Sequence, residues 1–272
     1  MCDDAPAERN DRAAGGSDAA GEGGDRYTVF LASEEYRQGR LRKARVIASL
    51  CREELAAADQ VADVGAGTGI IKNALEVEFS KSIVGFDIDY AFIIERDRMV
   101  AADASRLPVR PESFDLVLLN HIYEHVADQP ALFREAHRIL KPGGVAYVSA
   151  GNRLAIMEPH YRLPFLSWLP NPVADRYVRW TRRGSGYEDI RFLTYRPLRK
   201  MIEAVGLRLR DVTERAIDEQ LGETWGAAWV PAWKVFRAMP ASIRGALMAG
   251  LSPQWFLLLE KPHRDTEMIE GS

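Results

Sequence analysis

The chain has 272 residues, 47% of them apolar, with a formal net charge of -3 and two cysteines. That content supports the core of one large domain, and the slight acidity argues against a nucleic-acid partner, which needs a basic surface. Cys2 sits in a polar leader, so a structural disulfide is not expected and a reducing, cytoplasmic setting is. Residues 1–26 are Ala, Gly, Asp and Glu with no apolar core, which predicts a disordered leader rather than a signal peptide. Residues 27–272 are expected to form a single domain, and no apolar run reaches the ~18 residues of a membrane-spanning helix.

SEEYRQGRLRKARVIASLCREEL, starting at Ser33, predicts a helix to about Leu55, capped by Ser33, with Glu34 and Glu35 at its positive end. Short apolar runs then alternate with helical stretches. QVADV, SIVGF, DLVLLN and GGVAYVSA read as strands, and IIKNALEVEF, DYAFIIERDR and QPALFREAHRIL as helices between them. KPGG at 141–144 stops the last of these helices before its strand. Strands apolar on both faces, alternating with helices, predict a doubly wound, mostly parallel sheet. Residues 151–200 hold ten Lys or Arg against four Asp or Glu, and eight of the chain's 25 aromatics, as expected of a lid or binding element. TYRPLRKMIEAVGLRLRDV returns to helix and strand, a second apolar insertion fills 215–250, and SPQWFLLLEKP is the final strand.

The chemistry begins at VADVGAGTGI. Its glycine turn (Gly65, Ala66, Gly67, Gly69) follows a strand ending near Asp63, a place where backbone approaches a ligand closely. The third glycine comes one residue too early for a dinucleotide turn, and Ile70 stands where that pattern wants Gly or Ala. Asp87, 22 residues after Gly65, ends the second strand, where a carboxylate can accept both ribose hydroxyls. Asp103 ends the third strand, facing an adenine amino group in this reading, and Asn120 ends the fourth.

VADVGAGTG, VGFDID, AADASRLP, SFDLVLLNHIYEHV and LKPGGVAYVSA, over roughly residues 60–151, resemble the class I S-adenosylmethionine-dependent methyltransferases. The resemblance implies a seven-stranded Rossmann-like sheet whose last strand is antiparallel, with inserted segments at 151–192 and 215–250 on the acceptor side. It assigns Asp63, Gly65 and Gly67 to the methionine moiety, with weaker support from Tyr36 and Arg40 for its carboxylate. Asp87 falls to the ribose, Ile88 and the pair Asp103 and Ala104 to the adenine, and Asn120 to the floor beside the sulfonium. Candidate catalytic groups are His125, in YEHV, and His160, flanked by Glu158 and Tyr161. No ligand spacing suggests a metal. The expected acceptor is a small molecule, anionic or presented at an anionic membrane surface, because of the arginines. A nicotinamide-dependent oxidoreductase and a non-catalytic cofactor-binding module are the competing readings. Trp225, Trp229 and Trp233, spaced by four, read as a core stripe interrupted by Pro231, with an apolar wall for the acceptor or a membrane-resting surface as the sharper alternative.

Overall fold

A computed structural model describes residues 31, 33–89, 91, 93–187, 190–221 and 229–263. The expected leader and Trp225 lie outside these residues. Helix α1 (Glu34–Leu50) starts as its sequence dictates: Ser33 Oγ accepts the Tyr36 amide at 3.2 Å and Glu34 and Glu35 occupy the first turn. The single helix expected to Leu55 is broken at Cys51, and a short α2 (Arg52–Ala57) follows. Strand β1 (Val61–Val64), helix α3 (Ile70–Phe79) and strand β2 (Ile83–Asp87) come next. The helix expected from DYAFIIERDR is absent among the described residues, where bends and turns connect β2 to β3 (Met99–Ala101). The Ile94 and Glu95 amides there both donate to Thr68 O of the glycine turn, at 3.0 Å, instead of to a helical carbonyl four residues back.

Strand β4 (Phe114–Asn120) leads through a 3-10 turn (Tyr123–His125) to α4 (Gln129–Ile139). Asp128 caps α4 by accepting the Ala131 amide at 2.9 Å, and Leu132, Phe133, Ala136 and Ile139 form its buried stripe. Strand β5 (Leu140–Gly151) takes up KPGG at its start, where the register against β4 shifts between Phe114 and Leu116. The central strands are buried on both faces: Leu116, Val117, Leu118 and Leu119 of β4 expose 1% or less. Truncating Leu118 to Ala there costs roughly 2–5 kcal/mol.

Seven strands lie in the order β3-β2-β1-β4-β5-β9-β8, and β1 to β5 are parallel to their neighbours. Helix α6 (Tyr195–Ala204) leads into β8 (Arg208–Asp211), and β9 (Gln254–Glu260) pairs antiparallel with both β5 and β8. This is the doubly wound, mostly parallel sheet with an antiparallel last strand that the sequence predicts.

Two excursions leave the carboxyl-terminal edge of the sheet. The first carries a two-stranded hairpin, β6 (Met157–Glu158) and β7 (Leu163–Pro164), a 3-10 turn (Leu166–Trp168) and α5 (Asn171–Trp180). The second, between β8 and β9, carries α7 (Thr213–Gln220), α8 (Val230–Arg237) and α9 (Ala241–Leu251). Asn152 touches the ends of both. Its amide donates to Pro253 O at 2.9 Å, its Nδ2 donates to Ser252 O at 2.7 Å and Gly250 O at 3.2 Å, and it bridges to Leu193. The tryptophan stripe is not core: α8 and α9 bury no residue, and Trp229 is 56% exposed. Pro231 opens α8 instead of kinking it, because a first-turn proline loses no helical hydrogen bond.

Candidate active site

The glycine turn joins β1 to α3. Gly67 (φ 56°) and Gly69 (φ 81°) occupy the left-handed region, which side chains disfavour. A Cβ on Gly69 would meet Glu95 O at 2.5 Å, so packing excludes a side chain there. A Cβ on Gly67 would meet nothing within 4 Å. The loop therefore leaves an open cradle at Gly67. Its amides point inward: Gly65 N and Ala66 N donate to Phe86 O at 2.8 and 3.1 Å, Gly67 N to Asp87 Oδ2 at 2.7 Å and Gly69 N to Ala66 O at 3.0 Å. The loop thus offers a ligand acceptors rather than these donors, which suits an ammonium group.

Asp63 and Asp87, 3% and 7% exposed, stand side by side at the tips of β1 and β2. Burial, and then the neighbouring Asp87 carboxylate, push Asp63 up to about 7, against the opposing pull of Lys72 and Arg40. A cationic ligand group beside Asp63 would relieve that cost. The second oxygen of Asp87, Oδ1, accepts the Asp89 amide at 2.9 Å, so backbone fixes both oxygens while each keeps a lone pair. Ile88, next along, is 67% exposed, an apolar face with room for a flat ring. Asp103 is exposed, and its Oδ1 takes both the amide and hydroxyl of Ser105, at 2.8 and 2.7 Å; Ala104 beside it is half-buried. A ligand with an ammonium group, a diol and an aromatic ring fits this series of groups, and S-adenosylmethionine has all three.

Helix α1 closes the other side. Arg40 lies over the Tyr36 ring, 4.6 Å from its centroid, and both line a pocket of about 660 Å³ with Asn120, His121, Tyr147, Ser149 and Arg162. Its wall includes the cations Arg40, Arg42, Lys43, Arg45 and Arg162 and the anions Glu35 and Glu219.

His121 is the residue that the sequence reading passes over. It follows Asn120 directly and holds φ 53°, an uncommon conformation for a non-glycine residue that aims its ring beneath the pocket. Its Nδ1 lies 3.2 Å from Glu124 Oε1 and its Nε2 3.1 Å from Ser149 Oγ. Glu124 is fully buried. Burial alone would raise its pKa, but the His121 hydrogen bond and the nearby His121, His125 and His160 hold it down to about 2. An ionised carboxylate accepts only, so Nδ1 carries the proton and Nε2 accepts from Ser149. Burial, with the Lys43 charge adding to it, lowers the His121 pKa against the pull of Glu124. Ser149 also bonds the Tyr147 hydroxyl, which burial raises well above its usual value. A hydrogen-bonded chain, Tyr147–Ser149–His121–Glu124, therefore runs under the pocket. The signal for it was the i, i+3 pair in NHIYE just past a parallel strand's carboxyl end.

The two histidines singled out from sequence lie elsewhere. His160 Nδ1 is 2.7 Å from the buried Glu158 Oε1, and its ring meets that of His125 edge-on at 5.1 Å. Neither is in the pocket wall. A ring nitrogen from each and a carboxylate oxygen of Glu124 lie within 4.8 Å of one another, a cluster that sequence spacing does not reveal.

Residues 62–148 match the family described as methyltransferase domain. Ubiquinone biosynthesis O-methyltransferase of Pseudomonas syringae pv. tomato is 30% identical over 172 residues, 53% of this chain and 72% of that one. Its counterpart in Pseudomonas putida is 31% identical over 171 residues, with the same shares covered. Haemonchus contortus phosphoethanolamine N-methyltransferase 2, solved with phosphomonomethylethanolamine and S-adenosylhomocysteine, shares the fold at a TM-score of 0.50 and 17% identity, over 81% of this chain and 52% of that one. A chain of the complex with the Haloferax volcanii Trm112 methyltransferase activator does so at 0.51 and 19%, over 87% and 97%. With the glycine cradle and its carboxylates in place, the chain belongs to the class I S-adenosylmethionine-dependent methyltransferases, and S-adenosylmethionine is its methyl donor.

Proposed function

We propose that the chain methylates a hydroxyl oxygen of a small anionic acceptor, with His121 as the base. The Tyr147–Ser149–His121–Glu124 chain carries this reading. Oxygen needs a proton taken from it as it attacks, and amines in their free-base form do not. The two Pseudomonas relatives named above support oxygen too, since they are O-methyltransferases.

In this reading Asp63 and the glycine-turn carbonyls hold the methionine ammonium, with Tyr36 and Arg40 at its carboxylate. Asp87 takes the ribose, Ile88, Asp103 and Ala104 the adenine, and Asn120 the side next to the sulfonium. Bound S-adenosylmethionine supplies an electrophilic methyl group. The acceptor hydroxyl lies in the pocket in line with the carbon–sulfur bond, and positioning of this kind removes several kcal/mol of barrier, roughly 7–11 at best. As the new oxygen–carbon bond forms and the methyl carbon's bond to sulfur breaks, its electron pair staying on sulfur, the hydroxyl proton passes to Ser149 Oγ while the Ser149 proton moves to His121 Nε2. Glu124 stabilises the imidazolium across 3.2 Å. Lys43 and Arg162 hold the acceptor's anionic group. The single domain is taken as residues 27–272, with 151–192 and 215–250 as its acceptor-side insertions.

The test uses methyl-labelled S-adenosylmethionine with hydroxybenzoates and matched aminobenzoates. Label in the hydroxyl series that vanishes in His121→Ala supports the reading. Label confined to the amines, or unchanged in that variant, overturns it.

A further inference from the structure

The first excursion builds a surface that methyl transfer does not use. Ile156, Met157, Phe165 and Trp168 are 63, 51, 47 and 46% exposed. They are not scattered. Phe165 N donates to Ile156 O at 2.7 Å, Met157 pairs with Pro164 across the hairpin, and Trp168 Nε1 donates to Ala155 O at 3.0 Å. The Phe165 and Trp168 rings meet edge-on at 5.0 Å. Phe165 holds φ 58°, an unfavourable conformation for a bulky residue, and in it the ring faces solvent. On the adjoining helix α5, Trp180 is 79% exposed. Contiguous exposed apolar groups of this size mark a contact surface.

The exposed charge that this excursion contributes has one sign among the described residues. Between residues 151 and 187 the two carboxylates, Glu158 and Asp175, are 0 and 8% exposed. Glu158 is held by His160 and the Tyr161 amide, and Asp175 accepts the Tyr187 amide at 2.6 Å. Arg153, Arg162, Arg176, Arg179, Arg182 and Arg183 are all exposed. Among the described residues of this excursion, six guanidinium groups and no carboxylate are exposed, on a chain whose net charge is -3.

We propose that this face docks on an anionic lipid bilayer, with Phe165 and Trp168 entering the headgroup layer and the arginines meeting lipid phosphates. Aromatic rings flanked by cations suit that boundary, where the rings need an apolar bed and the charges an anionic sheet. A bilayer also demands no shape complement from the face it meets. Arg162 belongs both to this face and to the pocket wall, so docking sets the pocket mouth at the lipid surface. The proposal stands on the surface alone, and a soluble acceptor would leave it intact.

The test is co-sedimentation of the full chain with vesicles of phosphatidylcholine, alone or mixed equally with phosphatidylglycerol, at low and high salt. The expected result is binding to the mixed vesicles, none to phosphatidylcholine, and release by salt. The variant Phe165→Ser/Trp168→Ser and the variant Arg176→Gln/Arg179→Gln/Arg182→Gln should each weaken vesicle binding about tenfold or more. Both should keep the parent's thermal midpoint and S-adenosylmethionine affinity, which separates lost docking from lost folding. No binding to the mixed vesicles at low salt overturns the proposal, as does binding that neither variant changes. Binding to polyglutamate but not to vesicles also overturns it and makes the partner an acidic peptide.

Discussion

Around Gly65–Gly69 the groups proposed for the methyl donor are fixed by backbone: both oxygens of Asp87 accept amides, and the turn's own amides are spent on Phe86, Asp87 and Ala66. Around Arg162 the wall is made of long cationic side chains, Arg40, Arg42, Lys43 and Arg45 from helix α1 and Arg162 from the turn between β6 and β7. The donor side is preorganised for one molecule, whereas the acceptor side offers charge and reach. A shared methyl donor allows a rigid cradle, while long side chains on a helix and a turn can be exchanged without disturbing it.

The largest effect should fall where the two sides meet. His121→Ala should lower kcat by about a thousandfold, within the range for loss of a positioned base, while leaving S-adenosylmethionine affinity unchanged. Equal loss of donor affinity, measured by calorimetry, would put His121 on the donor side instead. On the donor side itself, Asp87→Ala removes an acceptor for the ribose and the brace of Gly67, so donor affinity should fall about a hundredfold, or ~3 kcal/mol.

A pH effect comes next. Asp63 must ionise to meet the donor's ammonium, and its pKa in the free protein is about 7, above the ordinary 3.8. Donor affinity should therefore rise about tenfold from pH 6 to pH 8, with a proton released on binding, as titration in buffers of different ionisation enthalpy would report. Flat affinity over that range would mean that the carboxylate is already ionised. His121, on the acceptor side, is shifted down rather than up. Its lowered pKa keeps the imidazole neutral into acid, so the acid limb of kcat/KM for transfer should lie below 6.5.

Smaller effects separate packing from binding within the same loop. Gly69→Ala clashes with Glu95 O and should lower the thermal midpoint by several degrees. Gly67→Ala clashes with nothing, so its stability cost should stay near ~1 kcal/mol while donor affinity falls. The smallest catalytic change is expected for His160→Ala: kcat within about threefold, but stability lower by about 1–3 kcal/mol because buried Glu158 loses a partner.

What the sequence made legible follows the range of the interactions. The glycine turn, the strand-end carboxylates and the helix caps are local, and Ser33, Gly67 and Asp87 stand where their neighbours in the chain imply. The DYAFIIERDR stretch shows the limit, since apolar spacing suggested a helix but its Ile94 and Glu95 amides donate to Thr68 O of the glycine turn instead. The tryptophans around Pro231 fail for a related reason: periodicity describes a stripe without saying whether anything covers it. His121 was within reach of sequence reasoning, yet its role depends on Ser149 and Tyr147 from the next strand, a contact that only the folded sheet creates. The one-signed face of residues 151–187 also needs the fold, because only burial of Glu158 and Asp175 turns a mixed segment into a cationic one.

Asn152 carries a consequence beyond its hydrogen bonds. One side chain gathers the first residues of one excursion and the last of the other at a single point on the sheet edge, 98 to 100 positions apart in the chain. Such a clasp ties both excursions to one point, so a stretch cut at 152 and at 252 and exchanged between relatives would carry β8 with it and would have to keep only that strand's pairing with β9. New acceptors would then arise by recombination at one seam, with the methyl-donor machinery inherited intact.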